Sequence, residues 1–414
     1  MDMESRNEKS QNNGGGGGGG EVAKRCRVPY DLIHFDILPR LSFKSLSRFK
    51  NVCKAWHDLI SNDPFFALEQ SRGTSPTSSG FAYLGRRGLE FLSSPNTPVG
   101  VPDPSLSFLG SHHIRLVAST NGLLCFYVFA LYFNFLCVLN PATQEYGPIP
   151  QSRRCRYGVG LAFDPSTSPT HYALVYPKRD HVAGAVDEVV EYRFKVFSSC
   201  TGKWVQSAQK VIVSGFRWRH QTPALFCGGV LYWDCVEYLI WFDPCKDLAG
   251  WMLLPAAVSG RARHAIGSSS EGQVTCTVIL EDTVEVFVMK DGNAGCSCGE
   301  ESWSRRYRVS LEGMVEKNRQ VFAEFCNTMR LRNRSLSERL LSRWFIQPLA
   351  FEGGDKLYLW VRARNGKRGK ERVLCHDLGK GEVTLISNNV SFAPGEDRIF
   401  AYRNTMARFP NWAN

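Results

Sequence analysis

The spacing of apolar side chains predicts a helix near the start of the chain. Between residues 46 and 61, apolar residues recur at steps of three and four, which is the period of one helical face. We expect this helix to begin near Ser42 or Ser45 and to run to about Ile60. The Asn-Asp-Pro sequence at 62–64 then stops it. The residues of the apolar face are Leu46, Phe49, Val52, Cys53, Trp56, Leu59 and Ile60.

The residues around this helix divide into a tail and a small helical module. Pro29 lacks only an N–H that would be unpaired in a first helical turn, so it can open one or two short helices. Residues 28–70 then form a module of three short helices, whose core is marginal unless it docks against something larger. Its wide apolar face is either that core or a surface for another protein. Residues 1–27 are polar with a glycine run at 14–20, so we expect a disordered tail.

From about residue 80 to residue 410, short apolar runs separated by turn residues predict strands throughout. Similar stretches of strand, turn and strand recur about every 40 to 60 residues. One sheet cannot bury both of its faces alone, whereas sheets stacked radially cover one another, so the pattern predicts a β-propeller. We expect about five to seven blades. The recurring stretches include NGLLCF, YRFKVFSSCTGKW, GGVLYWDCVEYLIWFDPCKDLAGWMLLP, DTVEVFVMKDGNAGCSCGEESWSRRYRV and RVLCHDLGKGEVTLI.

The apolar stretch from Gly122 to Leu139 is just long enough to cross a bilayer as a helix. Its Phe, Tyr and Val residues favour strands, Asn134 interrupts it, and Lys or Arg anchors do not flank it. We therefore interpret it as two buried strands joined by an apolar turn. No contact with a membrane is expected on this interpretation.

Residues 315–344 depart from the strand pattern. Apolar residues from Val321 to Met329 have helical spacing, and a second helical piece rich in arginine follows them. We interpret the segment as a helical insertion packed on the edge of a blade. A helix that binds a partner is the alternative.

Composition and charge narrow the classes of function. The net charge of +11 comes from basic residues dispersed along the chain, which indicates solubility and no nucleic-acid partner. Most of the fourteen cysteines stand singly among apolar residues, and the polar first residues lack a secretory signal. We therefore expect reduced thiols and a location in the cytoplasm and/or nucleus. Cys296 and Cys298 form one tight pair, but a zinc site needs further ligands, so no metal is expected.

The sequence has no recognisable catalytic constellation. It lacks the HExxH and P-loop patterns, so we expect no catalytic residue and no cofactor. His112, His113 and Asp164 are interpreted as polar residues of a loop and a β-turn. The basic segment from Arg362 to Arg372 is interpreted as a solvated hairpin turn. The alternatives are a contact for an acidic or phosphorylated substrate and a nuclear address.

The stretch from Val28 to Phe66 resembles an F-box in the order and spacing of its residues. Two positions depart from the family pattern. Ser42 stands where the family has proline, and the run from Pro29 to Leu38 is one residue longer than usual. The matching residues are Val28-Pro29, Asp31-Leu32, Ile37-Leu38-Pro39-Arg40-Leu41, Lys44-Ser45-Leu46-Ser47-Arg48-Phe49, Val52-Cys53-Lys54-Ala55-Trp56, Leu59-Ile60-Ser61 and Pro64-Phe65-Phe66.

The remainder of the chain is similar to the F-box-associated, kelch-like β-propeller domain of plant F-box proteins. The order of several short motifs carries this resemblance. Together the two resemblances imply an α + β multidomain protein, with a small helical F-box followed by an all-β propeller. The motifs are STNGLLCF (119–126), NPAT (140–143), YGVGLAFDP (157–165), GGVLYW (228–233) and ESWSRRYRV (301–309).

These resemblances imply the substrate-recognition subunit of an SCF-type ubiquitin ligase, a non-catalytic adaptor. The F-box would dock on a Skp-like adaptor, which links it to cullin and RING subunits, and the propeller would bind a protein substrate for ubiquitination. The two departures motivate an alternative, an F-box-like interaction protein that acts outside a ligase. Phe49 and Leu59 are assigned to the core of the module. The residues assigned to the adaptor are Pro29, Leu32, Ile37, Leu38, Leu46, Val52, Cys53 and Trp56.

Overall fold

The computed structural model describes most of residues 29–408. The tail predicted at 1–27, the Cys296 and Cys298 pair, His112 and the part of the insertion at 323–343 lie outside the described residues. The described residues are 29–73, 80–93, 101, 106, 113–130, 132–150, 158–181, 189–214, 223–258, 263–269, 271–290, 302–322, 344–349, 355–363, 371–393, 396 and 398–408.

The helical module begins with an unusual helix. A π-helical segment, Leu32–Ile37, continues directly into a 3-10 turn, Leu38–Arg40. Three α-helices follow: α1 (Phe43–Phe49), α2 (Lys54–Asn62) and α3 (Pro64–Gly73). Ser42 caps α1 by accepting a hydrogen bond from the Ser45 backbone N–H at 3.4 Å, so the family's proline is replaced by a residue that starts a helix.

The single helix predicted from Ser42 to Ile60 is wrong, because α1 and α2 are separate. The chain turns at Lys50 and becomes extended at Cys53, with φ −159° and ψ 163°. A straight helix would hold Leu46 and Ile60 about 21 Å apart. Both instead lie in one buried cluster, because the turn folds α2 back against α1. The periodicity was continuous across the turn because both helices face the same core.

Among the described residues, 23 strands form six antiparallel sheets. Five of these sheets each consist of four strands that are consecutive in sequence. The sixth sheet joins the first two strands of the chain to the last one. The sheets are β1 (Gly80–Gly85), β2 (Gly88–Ser93) and β23 (Ile399–Tyr402); β3 (His113–Thr120), β4 (Leu123–Phe129), β5 (Asn134–Asn140) and β6 (Glu145–Ile149); β7 (Gly160–Phe163), β8 (Tyr172–His181), β9 (Val189–Ser198) and β10 (Lys203–Ser214); β11 (Leu225–Cys227), β12 (Val230–Asp234), β13 (Tyr238–Asp243) and β14 (Leu248–Leu253); β15 (Arg263–Ser268), β16 (Val274–Ile279), β17 (Thr283–Met289) and β18 (Trp303–Ser310); and β19 (Trp344–Pro348), β20 (Lys356–Ala363), β21 (Glu371–Asp377) and β22 (Glu382–Val390).

The sheets close into a six-bladed β-propeller. The first strand of each four-stranded sheet is innermost, so β3 lies beside β7, β7 beside β11, β11 beside β15 and β15 beside β19. The ring closes where β23 pairs with β1, in the register Gly80 to Tyr402. Tyr358 of the last four-stranded blade packs edge-on against Phe81, with ring centroids 4.7 Å apart. This arrangement lets each blade cover the apolar face of its neighbour, which one blade alone could not do.

Aromatic side chains fill the space between the blades. Phe194 of β9 stacks on Phe242 of β13 with ring centroids 4.7 Å apart, and Trp233 of β12 packs beside them. The Trp233 indole N–H donates to the carbonyl of Gly158 at 2.7 Å, so the buried ring keeps its polar atom paired. These side chains belong to the recurring stretches of the sequence, and each stretch supplies the inward positions of one blade.

The apolar stretch from Gly122 to Leu139 forms two buried strands, as predicted. It contributes β4 and most of β5, which pair antiparallel through Leu124 and Leu139. Both of these side chains are fully buried, because neighbouring blades cover the two faces of the sheet. In the part of the chain that the structure describes, no helix is long and apolar enough to cross a membrane.

The first part of the insertion packs on a blade. A short helix, α4 (Leu311–Lys317), is capped by Ser310, whose Oγ accepts a hydrogen bond from the Gly313 N–H at 3.2 Å. Met314 and Phe322 are buried in one cluster with residues of β20 and β21. The Asn318 side chain ties this segment to β22 by accepting from the Val383 N–H at 2.8 Å. Residues 311–322 therefore pack on the edge of a blade, as expected from the sequence for the insertion.

The polar features predicted from the sequence lie at turns and strand ends. Asp164 lies in the turn after β7, as predicted, and its carboxylate accepts hydrogen bonds from the Ser166 N–H and the Thr167 hydroxyl. His113 begins β3 instead of lying in a loop, and its ring packs edge-on against Phe129 at 5.0 Å. The two ends of the basic segment 362–372 belong to strands β20 and β21, and Arg372 is buried there, so the predicted solvated turn does not include them. Residues 364–370 lie outside the described residues.

Two histidines make the stability of the propeller dependent on pH. Burial is the main cause that lowers the pKa of His376 in β21 and of His171 before β8. The folded state therefore favours neutral imidazoles, while the unfolded chain binds protons below about pH 6.5. We expect the melting temperature to fall as the pH drops from 7.5 to 5.5. His376→Gln should flatten this dependence in thermal denaturation, whereas a substitution at the exposed His57 should leave it unchanged.

Candidate adaptor-docking site

The helical module has a small core that includes two of the residues assigned to the adaptor. Leu38 is 1% exposed and Leu46 is fully buried, and both lie in a cluster with Phe43, Ile60 and Phe66. Side chains already buried in the free chain cannot lose much further surface on docking. Leu38 and Leu46 are therefore core residues that hold the helices together, and their assignment to direct adaptor contact does not fit their burial.

The other assigned residues lie at or near the surface. Pro29 and Cys53 are exposed, and Leu32, Ile37 and Val52 expose 46%, 43% and 60% of their surface. Trp56 is only partly exposed to solvent, because its ring packs edge-on against that of Phe49, with ring centroids 5.5 Å apart. Leu59 is partly buried against the same cluster, as expected for a core residue. The structure thus divides the assigned set into a buried part and an exposed part.

The exposed apolar residues of the module form a larger set than the sequence pattern indicated. Tyr30, Phe35 and Phe65 are 60%, 72% and 75% exposed. Six of the thirteen large apolar side chains exposed in the described residues belong to residues 30–65. A concentration of exposed aromatic and aliphatic side chains is typical of a surface that binds another protein. Tyr30, Phe35 and Phe65 are not among the residues that the resemblance assigned to the adaptor.

The π-helical segment explains how the module accommodates one extra residue. A π-turn holds one more residue per turn than an α-helix, so the run from Pro29 to Leu38 is longer in sequence without being longer in space. His34 points into the module, where it is 7% exposed and its ring lies 3.7 Å from that of Tyr30. Phe35 and Ile37, which follow this buried residue, stay exposed. Leu38, which follows the π-helical segment, enters the core of the module.

The module docks on the propeller through the NPAT turn and the last described residues. Ala142 and Met406 are buried in the core cluster of the module. The Asn140 side-chain amide donates to the carbonyls of Thr405 at 3.1 Å and Ala407 at 2.7 Å, while its oxygen accepts from the Ala142 N–H. One buried asparagine thus holds together the two propeller segments that contact the helices.

Charged side chains complete this junction. Arg408 donates to the Asn62 side chain at 2.8 Å and lies 3.3 Å from a carboxylate oxygen of Glu145. Burial lowers the pKa of the neighbouring Lys50, the positive charge of Arg408 adds to this effect, and Glu145 opposes it. Arg72 of α3 donates to the carbonyl of Ser166 at 3.3 Å, beyond the end of β7. The helices therefore have a defined orientation on the propeller.

The two faces of the propeller differ in what they can bind. Strands alternate in direction, so turns between first and second strands and between third and fourth strands lie on one face, which we call the module face. Ala142 and Ser166 lie in such turns, so the helices occupy this face. The opposite side, which we call the distal face, carries the turns between second and third strands. A central cavity of about 1100 Å³ lies among the blades.

Small helices with an exposed apolar surface, fixed on one face of a propeller, define a two-part interaction protein. The F-box domain family matches residues 27–68, which covers the exposed and buried residues discussed above. The chain therefore contains an F-box domain, followed by a six-bladed β-propeller. F-box domains in general bind a Skp-like adaptor.

Similar proteins occur in Arabidopsis thaliana. One F-box protein of that plant is 28% identical over 356 residues, which cover 80% of this chain and 94% of the relative. A second is 28% identical over 227 residues, covering 50% of this chain and 53% of the relative. A protein described as F-box/kelch-repeat is 34% identical over 105 residues, or 22% of this chain and 29% of the relative.

Solved structures show only a weak overall likeness. A TolB protein from Agrobacterium tumefaciens has a TM-score of 0.36 at 11% identity, covering 78% of this chain and 97% of that chain. Oligopeptidase B from Leishmania major has a TM-score of 0.34 at 7% identity, covering 82% of this chain and 53% of that chain. We draw no functional conclusion from either likeness.

Proposed function

We propose that this protein is the substrate-recognition subunit of an SCF-type ubiquitin ligase. The F-box docks on a Skp-like adaptor, and through it on cullin and RING subunits, while the propeller binds a protein substrate. The observation that carries the proposal is the exposed apolar surface of the F-box, including Leu32, Ile37 and Val52, beside helices already fixed to the propeller. A rigid junction supports the proposal because it would hold a substrate at a defined distance from the adaptor.

On this proposal the protein contributes proximity and no bond chemistry. It raises the effective concentration of a substrate lysine near the ubiquitin-carrying enzyme, which belongs to other subunits. Among the described residues, no group of three or more His, Cys, Asp or Glu side chains could hold a metal ion. We place the protein in the cytoplasm and/or nucleus. No disulfide joins any of the nine cysteines that the structure describes, which agrees with a reducing compartment.

A second function is suggested by the first helices of the module. The π-helical segment Leu32–Ile37 changes the path of the chain within the surface assigned to the adaptor. An F-box altered in this way could bind an adaptor without recruiting a cullin, or could bind a different partner. Ser42 gives no support to this alternative, because it caps α1.

Affinity purification of the tagged full chain from plant cells with the proteasome blocked tests the two functions. We expect a Skp-like adaptor and a cullin to co-purify with the protein, because the exposed surface of the F-box is intact. Adaptor without cullin would favour the second function, and neither subunit would contradict both. Mass spectrometry of ubiquitinated proteins in the same eluate would identify substrates. A parallel purification of residues 80–408 serves as the control for binding that does not depend on the F-box.

A further inference from the structure

Arginines gather where the central cavity opens on the distal face. Arg398 precedes the innermost strand β23, and Arg362 lies near the end of β20, and both line the cavity. Arg263 begins the innermost strand β15, next to His264, which also lines it. Because innermost strands start at the distal face and second strands end there, all three residues belong to the same mouth.

Aromatic rings hold two of these arginines in place. The guanidinium carbons of Arg263 and Arg362 lie 4.6 Å and 4.5 Å from the centroid of the same ring, that of Phe345. Arg362 also lies 5.1 Å from the Trp360 ring. Arg263 also donates to the carbonyl of Ile346 at 2.9 Å. A guanidinium stacked on a ring has already lost much of its side-chain freedom. Such a group binds an anion at a lower entropic cost than a mobile arginine.

The acidic side chains at this mouth already have partners of their own. Asp234 lies 3.0 Å from the imidazole of His264 and accepts from the Val236 N–H. Glu396 is in an ion pair with Arg115 at 3.0 Å, and Glu371 accepts from the Trp360 indole N–H at 3.1 Å. These contacts engage the carboxylates that the structure describes beside the arginines.

We propose that the distal mouth of the propeller is an anion-binding site that takes an acidic side chain of the substrate protein. Arg362 makes the direct contact, Arg398 contributes a second charge, and Arg263 with Phe345 positions Arg362. The occupant is a peptide segment because the cavity, at about 1100 Å³, is large enough for several side chains, and its arginines complement an acidic one. This inference rests on the proposed function, which assigns substrate binding to the propeller.

Fluorescence anisotropy with the full chain tests the site directly. The probes are three labelled glycine-rich peptides of equal length that carry several glutamates, several phosphoserines or several glutamines. We expect both anionic peptides to bind at least about tenfold more tightly than the glutamine peptide, as charge-assisted hydrogen bonds would give. Arg362→Gln combined with Arg398→Gln should remove this preference. The relative affinity of the first two peptides shows whether a carboxylate or a phosphate is preferred.

Two further variants separate a binding role from a structural one. Arg193→Gln with Arg305→Gln removes the same two charges from β9 and β18, where Lys210 and Arg308 remain as partners of the local acids. This control should keep the preference. Arg362→Lys keeps the charge but loses the planar fork, so its affinity for the anionic peptides should fall between those of the wild type and the double variant.

The proposal is overturned if the wild type does not distinguish the peptides, or if the control variant loses the preference as fully as the site variant. If the melting curve shows that the variant with Arg362→Gln and Arg398→Gln is unfolded, the affinity of the Arg362→Lys variant for the anionic peptides becomes the test of the proposal. Adaptor pull-down on the same samples separates the two claims. Selective anion binding without adaptor binding would retain the site and reject the ligase function, and the reverse result would reject only the site.

Discussion

Replacing Ile37 and Val52 together by aspartate should weaken adaptor binding by at least about a hundredfold while leaving the fold intact. Both side chains are largely exposed in the free chain, 43% for Ile37 and 60% for Val52, so a charge there is solvated until a partner covers it. Docking would then bury two carboxylates in an apolar interface without a counter-ion, which is strongly unfavourable. Pull-down and calorimetric titration with a Skp-like adaptor measure the loss.

Two matched variants make this result interpretable. Val205→Asp changes another exposed apolar residue, 63% exposed on β10, and should leave adaptor binding unchanged. Leu46→Ala should also reduce adaptor binding, but through the core, because deleting a fully buried leucine costs about 2–5 kcal/mol. Its loss of binding should therefore accompany a lower melting temperature, whereas the aspartate variant should melt like the wild type. Unchanged binding by the aspartate variant would reject the docking surface.

Asn140→Ala should loosen the F-box from the propeller and lower the free energy of unfolding by about 2–4 kcal/mol. The fully buried Asn140 side chain makes three hydrogen bonds, two to the carbonyls of Thr405 and Ala407 and one from the Ala142 N–H. Alanine would leave these three backbone groups without that partner in a site closed to water. Since Ala142 and Met406 contact the helices, the loss should spread to the junction.

Hydrogen exchange and urea denaturation would measure this effect. We expect faster amide exchange at residues 403–408 and in α1 and α2, with little change in the distant β11–β14 blade. Asn140→Asp should be at least as damaging, because it keeps the acceptor but places a carboxylate against two carbonyl oxygens. Asn389→Ala, at an exposed position of β22, is the control and should have no comparable effect. Equal amide exchange rates in the Asn140 and Asn389 variants would contradict the role of Asn140 in holding the two propeller segments together.

The sequence pattern predicted the propeller better than it predicted the docking surface. Strands are predicted from the alternation of apolar and polar residues and from turn residues. Both are features of short stretches of sequence, so the sequence could distinguish β4 and β5 from a membrane helix. The number of blades depends on how tightly the sheets stack around the axis, and the sequence left a range that includes the observed six.

The docking surface shows why periodicity alone could not assign it. Leu46 and Val52 belong to the same apolar pattern, yet one is buried and the other is 60% exposed, because the chain turns between α1 and α2. The helical spacing of apolar residues identifies which side chains avoid water. It does not show whether they pack against their own chain or against a partner. Phe35, exposed by the π-helical segment, had no signal in a helical pattern.

The sequence by itself determined the order of the parts, an F-box followed by strands that must stack, because motif spacing and apolar alternation are local properties of the chain. Only the tertiary structure decided which apolar side chains of the helices stay exposed and which face of the propeller the helices leave uncovered. Both depend on contacts between residues far apart in sequence, such as Asn140 with Ala407 and Arg263 with Phe345. No local pattern encodes those contacts, because each joins residues from different parts of the propeller.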